Sequence, residues 1–337
     1  AESTSVTTAD SDAAAGETAS AGGLSGTSLG TAKTDDYSII VTQYQEYDTA
    51  IYVADITVSS AEIIKTALAD DTYGKNITAY TSTIASENQA VLAINGDYYG
   101  AQESGYVIRN GVAYREASDG EDILVLYADG SMEVLDSDDV TVQQLLDQGA
   151  WQAWSFGPGL LSDGEVTVEE NTEVSRAMNS NPRTAIGQID DNHYVFVVSD
   201  GRTDESKGLS LYELAEFMQN LGCRTAYNLD GGGSSTMYFN GSVINNPTTN
   251  GRIKERAVSD IVYMDKEQKY LVRNGAAAVF LLVFALIYEH FSHGVISGYM
   301  LGAWLIPLVG SIPYLGIEWM HRRHAAEDEG YRQAAAC

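Results

Sequence analysis

The stretch Ser210–Phe239 reads Ser-Leu-Tyr-Glu-Leu-Ala-Glu-Phe-Met-Gln-Asn-Leu-Gly-Cys-Arg-Thr-Ala-Tyr-Asn-Leu-Asp-Gly-Gly-Gly-Ser-Ser-Thr-Met-Tyr-Phe. Ser210 and Glu213 form a capping box. Leu211, Leu214, Ala215, Met218 and Leu221 then recur at helical spacing until Gly222 stops the helix. A strand over Arg224–Leu229 follows at once, and after Gly231-Gly232-Gly233 a second strand covers Thr236–Phe239. A capped helix that returns directly into a strand, and then through a glycine turn into another, predicts sheets with helices packed among them.

Working outward, strands are predicted at Ile39–Gln43 and Ala50–Val58, with a helical stretch at Ser60–Ala69. Asn110-Gly111 and Asp129-Gly130 sit between apolar runs as tight hairpin turns, and Asp190-Asp191-Asn192-His193 joins Arg183–Ile189 to Tyr194–Ser199. The predicted fold class is α+β, a mixed sheet with interspersed helices, over residues 37–264. It is preceded by a disordered tether at 1–36, whose first 34 residues hold 8 Ala, 6 Ser, 7 Thr and 5 Gly and have little to bury. Residues 265–337 follow as a helical membrane tail. Gly275–Tyr288 and Val295–Ile317 are apolar runs, read as one or two transmembrane helices. Lys266, Lys269 and Arg273 precede the pair and Arg322 and Arg323 follow it, so two spans put both flanks in the cytoplasm, whereas a single span leaves the domain outside. The expected location is the cell envelope, membrane-associated through the tail, with the soluble domain extracellular.

The 337 residues carry 19 Lys and Arg against 47 Asp and Glu, a net charge of −28. So acidic a surface argues against a general nucleic-acid binder as partner. Of five histidines only His193 precedes residue 290, so a histidine triad has one imidazole to draw on and a two-histidine metal site none. Chemistry in the domain falls to carboxylates, hydroxyls, amides, arginines and backbone.

Such residues gather in five clusters: Asn95-Gly96-Asp97-Tyr98-Tyr99, Asn181-Pro182-Arg183-Thr184-Ala185-Ile186-Gly187, Ser199-Asp200-Gly201-Arg202, Asn228-Leu229-Asp230-Gly231-Gly232-Gly233-Ser234-Ser235 and Glu255-Arg256. Three follow directly on apolar strands, the arrangement of a loop rim on a sheet. The triple glycine lacks the Gly-Lys-Ser/Thr of a nucleotide loop and the Rossmann fingerprint, which leaves a permissive turn or an anion or sugar site. Arginines in an acidic protein also serve as surface ion pairs, and aspartates in turns as caps. The sequence requires no cofactor, although paired carboxylates also suit a hard divalent cation such as Ca²⁺.

In this order and spacing, together with the Gly-Leu-Ser-Leu helix start and the late Glu-Arg, the clusters resemble the phosphodiester glycosidase family over residues 37–264. That family includes the lysosomal uncovering enzyme and bacterial proteins of exopolysaccharide biosynthesis. The resemblance implies a hydrolase of carbohydrate metabolism that cleaves the bond between a sugar's anomeric carbon and phosphate in a glycosyl-1-phosphodiester of a surface glycan or polysaccharide. Arg183, Arg202 and Arg256 would then clamp the phosphate, helped by the amides of Gly231, Gly232 and Gly233 and by Ser234. Asp230, then Asp200, then Asp97 would serve at the anomeric centre. Asn95 and Asn228 would hold sugar hydroxyls or the loops, and Tyr98 a sugar face. A rival reading is a non-catalytic glycan-binding or assembly module that uses the same clusters only to hold ligand.

Overall fold

The structure, a computed structural model, describes residues 18–21, 23–171 and 180–266. The chain divides into two units, Ala1–Lys266 and Glu267–Cys337, and the described residues all belong to the first.

Among the described residues, three larger sheets, a two-stranded ribbon of Thr248–Thr249 and Arg252–Ile253, and three short α-helices make up this unit, and every ladder is antiparallel. The α+β class stands, with antiparallel rather than mixed sheets. The largest sheet runs, in spatial order, Thr18–Ala21, Leu24–Lys33, Tyr37–Glu46, Thr49–Val58, His193–Ser199, Thr184–Asp190, Thr225–Asn228, Gly159–Ser162 and Glu165–Val166. A second sheet is centred on Ala90–Asn95, between Met237–Phe239 and Asp260–Asp265. A third is centred on Ala150–Trp154, between Asp122–Tyr127 and Gly105–Arg109.

Alternation along the central strand His193–Ser199 shows how the layers form. Tyr194, Phe196 and Val198 enter a core shared with Ile94 and Val262 of the second sheet and Leu124 and Leu126 of the third. Val195 and Val197 face the other way, onto Leu214, Ala215 and Met218 of the helix Leu211–Asn220. Both faces are covered, so the strand is apolar at successive positions. The other helices work likewise: Ile84 and Ala85 of Thr81–Glu87 cover the second sheet, and Val142 and Leu145 of Val142–Asp147 the third. Gly187 lets the long helix approach, since a Cβ there would stand 2.7 Å from Met218 Cε and 2.9 Å from Cys223 Sγ.

Ser210 Oγ accepts the Glu213 N–H, Glu213 Oε2 accepts the Ser210 N–H, and Gly222 ends the helix at φ +91°, as the sequence predicts. The turn Asn110-Gly111 has positive φ at both residues, as a primed hairpin turn requires. His193 is a strand residue whose Nε2 lies 2.9 Å from Asp55 Oδ1 on the neighbouring strand.

Several expectations are corrected. The expected helix at Ser60–Ala69 is two single 3₁₀ turns around the strand Lys65–Leu68, whose Thr66 and Ala67 are buried. The tether expected at 1–36 is not disordered at 24–33. Leu24–Lys33 pairs along Tyr37–Glu46, and its small residues suit that close contact, since a Cβ on Gly26 would meet the Thr42 methyl at 2.5 Å. The helical membrane tail is also withdrawn. No helix among the described residues is long and apolar enough to cross a membrane, the longest α-helix having 10 residues where a span needs about 20. The segment that carried the expectation, 267–337, lies outside the described residues. With it go the transmembrane helix, the membrane partner, the cell-envelope location and the extracellular placement.

Candidate active site

Strand pairing alone brings most of the clusters to one end of the large sheet. Thr184–Asp190 is antiparallel to both His193–Ser199 and Thr225–Asn228, with Thr184 opposite Val198 and Ala185 opposite Asn228. Asp200 and Arg202 leave one neighbour and Asp230 leaves the other at the end where Arg183 enters. The second sheet meets the same edge through Asn95. Its Nδ2 donates to the Asp230 carbonyl at 2.7 Å, and its Oδ1 accepts the Thr184 hydroxyl at 2.8 Å and the Thr236 N–H at 3.3 Å.

Asp230 is the carboxylate at the centre. It is buried, and Arg256 Nη2 lies 2.9 Å from each of its oxygens. Arg256 also donates through Nε to Ser234 Oγ at 2.8 Å and through Nη2 to the Gly231 carbonyl at 3.0 Å. Burial pushes the Asp230 carboxyl above the usual carboxylate range, against the pull of Arg256 and Ser234. Arg256 is 41% exposed on its side chain and stands 5.7 Å from the Tyr98 ring, which is itself exposed from a left-handed backbone position at φ 67°.

Arg202 joins this group from the other side. Its Nη2 lies 3.0 Å from where a Gly232 Cβ would be, and its Nε and Nη2 both donate to Asn181 Oδ1, at 3.1 and 2.7 Å. A Gly233 Cβ would in turn stand 3.3 Å from Arg256 Cβ, so the two arginines border the same glycine turn, and desolvation and then the charge of Arg256 lower the Arg202 pKa. Arg256 is neutralised by Asp230, whereas Arg202 is held by a neutral amide.

The glycine turn is tight because three neighbours leave no room for a Cβ. Gly231 abuts the Pro182 carbonyl, Gly232 abuts Arg202 and takes φ +64°, and Gly233 abuts Thr249 Oγ1. The Gly232 N–H is donated to the Pro182 carbonyl at 2.8 Å, so the three-amide anion cradle expected from the sequence is reduced to at most the amides of Gly231 and Gly233.

Other predicted residues lie close by in supporting positions. Asp200 is buried and saturated with donors: Oδ1 accepts from Asn245 Nδ2 and the Asn246 N–H, and Oδ2 from Asn246 Nδ2 and the Tyr52 hydroxyl. Arg183 is buried, and its Nε donates to the Leu209 carbonyl at 2.9 Å. Asn228 Nδ2 donates to the Gly157 carbonyl at 2.7 Å. Asp97 does not join the group. It is fully buried, lies 2.8 Å from Arg109 Nη2, and accepts the Tyr99 and Ser155 N–H groups at 3.1 and 3.0 Å. With both oxygens engaged in the interior, it belongs to the frame.

Sequence reasoning missed Asn181, Asn245, Asn246, Tyr52, Arg109 and Asp260. Asn181 stood in a quoted cluster, and Asn245-Asn246-Pro247 reads only as a turn. Arg109 and Asp260 are charged residues in strands with no local motif. Among the described residues no three or more His, Cys, Asp or Glu gather as metal ligands. A separate cavity of about 170 Å³ between Tyr73, Tyr99 and Arg115 contains none of the predicted site residues. Arg115 there is spent on the carbonyls of Gly105, Tyr99 and Gln102, and Lys75 pairs with Glu103.

Known proteins share parts of this sequence and its fold. The SPbeta prophage-derived uncharacterized protein YomE of Bacillus subtilis is 32% identical over 184 residues, 53% of this chain and 28% of that protein. The human N-acetylglucosamine-1-phosphodiester alpha-N-acetylglucosaminidase is 35% identical over 121 residues, 34% of this chain and 23% of that enzyme. The chain thus spans well under half of either curated relative. Among solved structures, the zebrafish N-acetylglucosamine-1-phosphodiester alpha-N-acetylglucosaminidase catalytic domain, auto-inhibited by its pro-peptide, shares the fold with a TM-score of 0.54 at 20% identity, over 69% of this chain and 83% of that one. The phosphodiester glycosidase profile matches residues 88–264, just over half of the chain and the part that holds Asp230, Arg202 and Arg256. By that match the chain belongs to the phosphodiester glycosidase family.

Proposed function

We propose that the domain hydrolyses the bond between the anomeric carbon and phosphate of a glycosyl-1-phosphodiester in a glycan or polysaccharide. One observation carries the reading: Arg202, held by a neutral amide, and Arg256 flank a glycine turn beside the buried Asp230. Two guanidiniums that repel each other gain most when an anion lies between them, and planar guanidinium forks match phosphate oxygens. Within residues 1–264, which hold 13 basic against 40 acidic side chains, such a pair is a local exception.

In this scheme the phosphodiester lies between Arg202 and Arg256, and the sugar's anomeric carbon faces Asp230. The C1–O bond breaks and its electron pair leaves on the phosphate oxygen, where both arginines stabilise the charge. A water oxygen bonds to C1 and its proton passes to the Asp230 carboxylate. Substrate phosphate competes for Arg256, which loosens its hold on Asp230 and makes the carboxylate a better base. Tyr98 offers its exposed ring to the sugar. Asp200, saturated by Asn245, Asn246 and Tyr52, holds the turn that carries Arg202.

The test is incubation of the protein with a chromogenic sugar-1-phosphodiester and measurement of free sugar. Turnover supports the reading, whereas binding without turnover across several sugars would leave a glycan-binding module. Arg202→Ala should raise KM about 10- to 100-fold, the equivalent of a charge-assisted hydrogen bond of ~1.5–3 kcal/mol, with a smaller change in kcat. An unchanged KM removes Arg202 from the clamp.

A further inference from the structure

Arg109 is a fully buried guanidinium at the end of the strand Gly105–Arg109 in the third sheet. Its Nη2 lies 2.8 Å from Asp97 Oδ1, its Nε donates to Asp260 Oδ2 at 2.8 Å, and its Nη1 donates to the carbonyls of Ile108 and Ala153. Burial works against its charge, but the two carboxylates more than offset that and hold it protonated. Asp97 follows the strand Ala90–Asn95 and Asp260 opens the strand Asp260–Asp265, so one side chain ties the third sheet to two strands of the second.

The segment that Arg109 holds also touches the site. The segment Asn95–Tyr98 contacts the active group at three points. Asn95 Nδ2 donates to the Asp230 carbonyl, the Gly96 carbonyl accepts the Asp230 N–H at 3.4 Å, and the Tyr98 ring stands 5.7 Å from the Arg256 guanidinium. Gly96 in turn lies against Asp260: its N–H donates to the Asp260 carbonyl at 3.0 Å, and a Cβ would collide with the Asp260 carboxylate. Asp97 fixes the next turn by accepting the Tyr99 N–H.

We propose that Arg109 is a positioning residue for Asp230, acting through Asp97, Asp260 and the segment Asn95–Tyr98. The proposal rests on the reading of Asp230 as the carboxylate at the anomeric centre. Arg109 touches no substrate. It sets where the Asp230 main chain sits, and displacement of a reacting group by about 1 Å can cost about 100-fold in rate. A side chain that merely stabilised the fold would leave kcat intact in any variant that still folds.

The experiment compares wild type with Arg109→Lys, Asp260→Ser and Asp260→Asn. Lysine keeps the charge but lacks the fork that reaches two carboxylates. Serine abolishes the bond to Arg109 Nε, whereas asparagine retains an oxygen to accept it. Arg109→Lys and Asp260→Ser should lower kcat about 10-fold or more, with KM within about twofold because Arg202 and Arg256 still bind the phosphate, and Asp260→Asn should restore kcat. Hydrogen exchange over Asn228–Ser235 should be faster in the two impaired variants, with exchange in the helix Leu211–Asn220 unchanged. If Arg109→Lys fails to fold, the Asp260 pair decides alone. Wild-type kcat in Asp260→Ser, or loss of KM rather than kcat, overturns the proposal. If wild type itself shows no turnover, the functional reading fails separately, and unchanged exchange over Asn228–Ser235 would then overturn the mechanical link.

Discussion

Asp230→Asn should lower kcat by about 10²–10⁴-fold, the range that a positioned carboxylate contributes as base, while the protein stays folded. The carboxylate is buried and its charge is opposed by one guanidinium, so the substitution removes the base and puts an amide against Arg256 Nη2. The pH profile separates this role from a purely structural one. Burial raises the Asp230 pKa and Arg256 pulls it down, with the net direction upward. If Asp230 acts ionised, kcat/KM falls as the pH drops through that raised value, which lies above the ~4 of an ordinary aspartate. Arg256→Gln removes the pull, so the acid limb should move to higher pH. A limb that stays in place or moves down would show that Asp230 is not the titrating group, and an unaffected rate in Asp230→Asn removes it from the chemistry altogether.

Arg109→Met should strongly destabilise the domain. It leaves Asp97 and Asp260, both fully buried, without a cation. Loss of one partner of a buried ion pair costs about 3–5 kcal/mol, a large part of the ~5–15 kcal/mol that holds a typical domain folded. At about 2–4 °C per kcal/mol for a domain of this size, the melting temperature should fall by ~6–20 °C. The loss also depends on pH, with a definite sign. Burial already raises the Asp260 carboxyl, to which Arg109 gives partial relief and Asp97 adds repulsion. Without Arg109 the native pKa rises further above the unfolded value, so the variant loses stability as pH rises from the unfolded carboxylate pKa toward the native one. It should be closest to wild type near pH 5 and furthest from it near pH 8, as differential scanning calorimetry would show. Equal melting temperatures at pH 8 would mean that the network contributes little.

The two halves of the site differed in how far the sequence revealed them. Asp230, Arg202 and Arg256 were legible because each stands in a short polar or glycine-rich cluster, two of them directly after apolar strands, where the chain must turn and a side chain faces the rim. The helix Leu211–Asn220 was legible because capping, periodicity and the stop at Gly222 agree. Asp97 was misjudged for a physical reason: a carboxylate after a strand looks the same in sequence whether it faces the rim or an arginine in the interior. Its partner Arg109 and the Asp260 that Arg109 also holds both come from strands later in the chain, and only the tertiary fold brings the three together. The glycine turn was read as an anion cradle, but one amide is used by Pro182 and the missing Cβ atoms mainly admit Pro182, Arg202 and Thr249. Leu24–Lys33 was hidden by composition, since a strand of Ser, Gly, Thr and Ala draws its place from the neighbour Tyr37–Glu46 rather than from its own apolar pattern.

The proposed chemistry is a statement about which bond breaks, and labelled water tests it most directly. Hydrolysis of a sugar-1-phosphodiester in H₂¹⁸O, followed by mass spectrometry of the phosphate-bearing product, distinguishes attack at carbon from attack at phosphorus. Attack on the anomeric carbon beside Asp230 predicts a phosphate product with no ¹⁸O, because its oxygens all come from the substrate. A phosphate product that gains one ¹⁸O per turnover would place the attack at phosphorus and contradict a glycosidase site built on Asp230, Arg202 and Arg256.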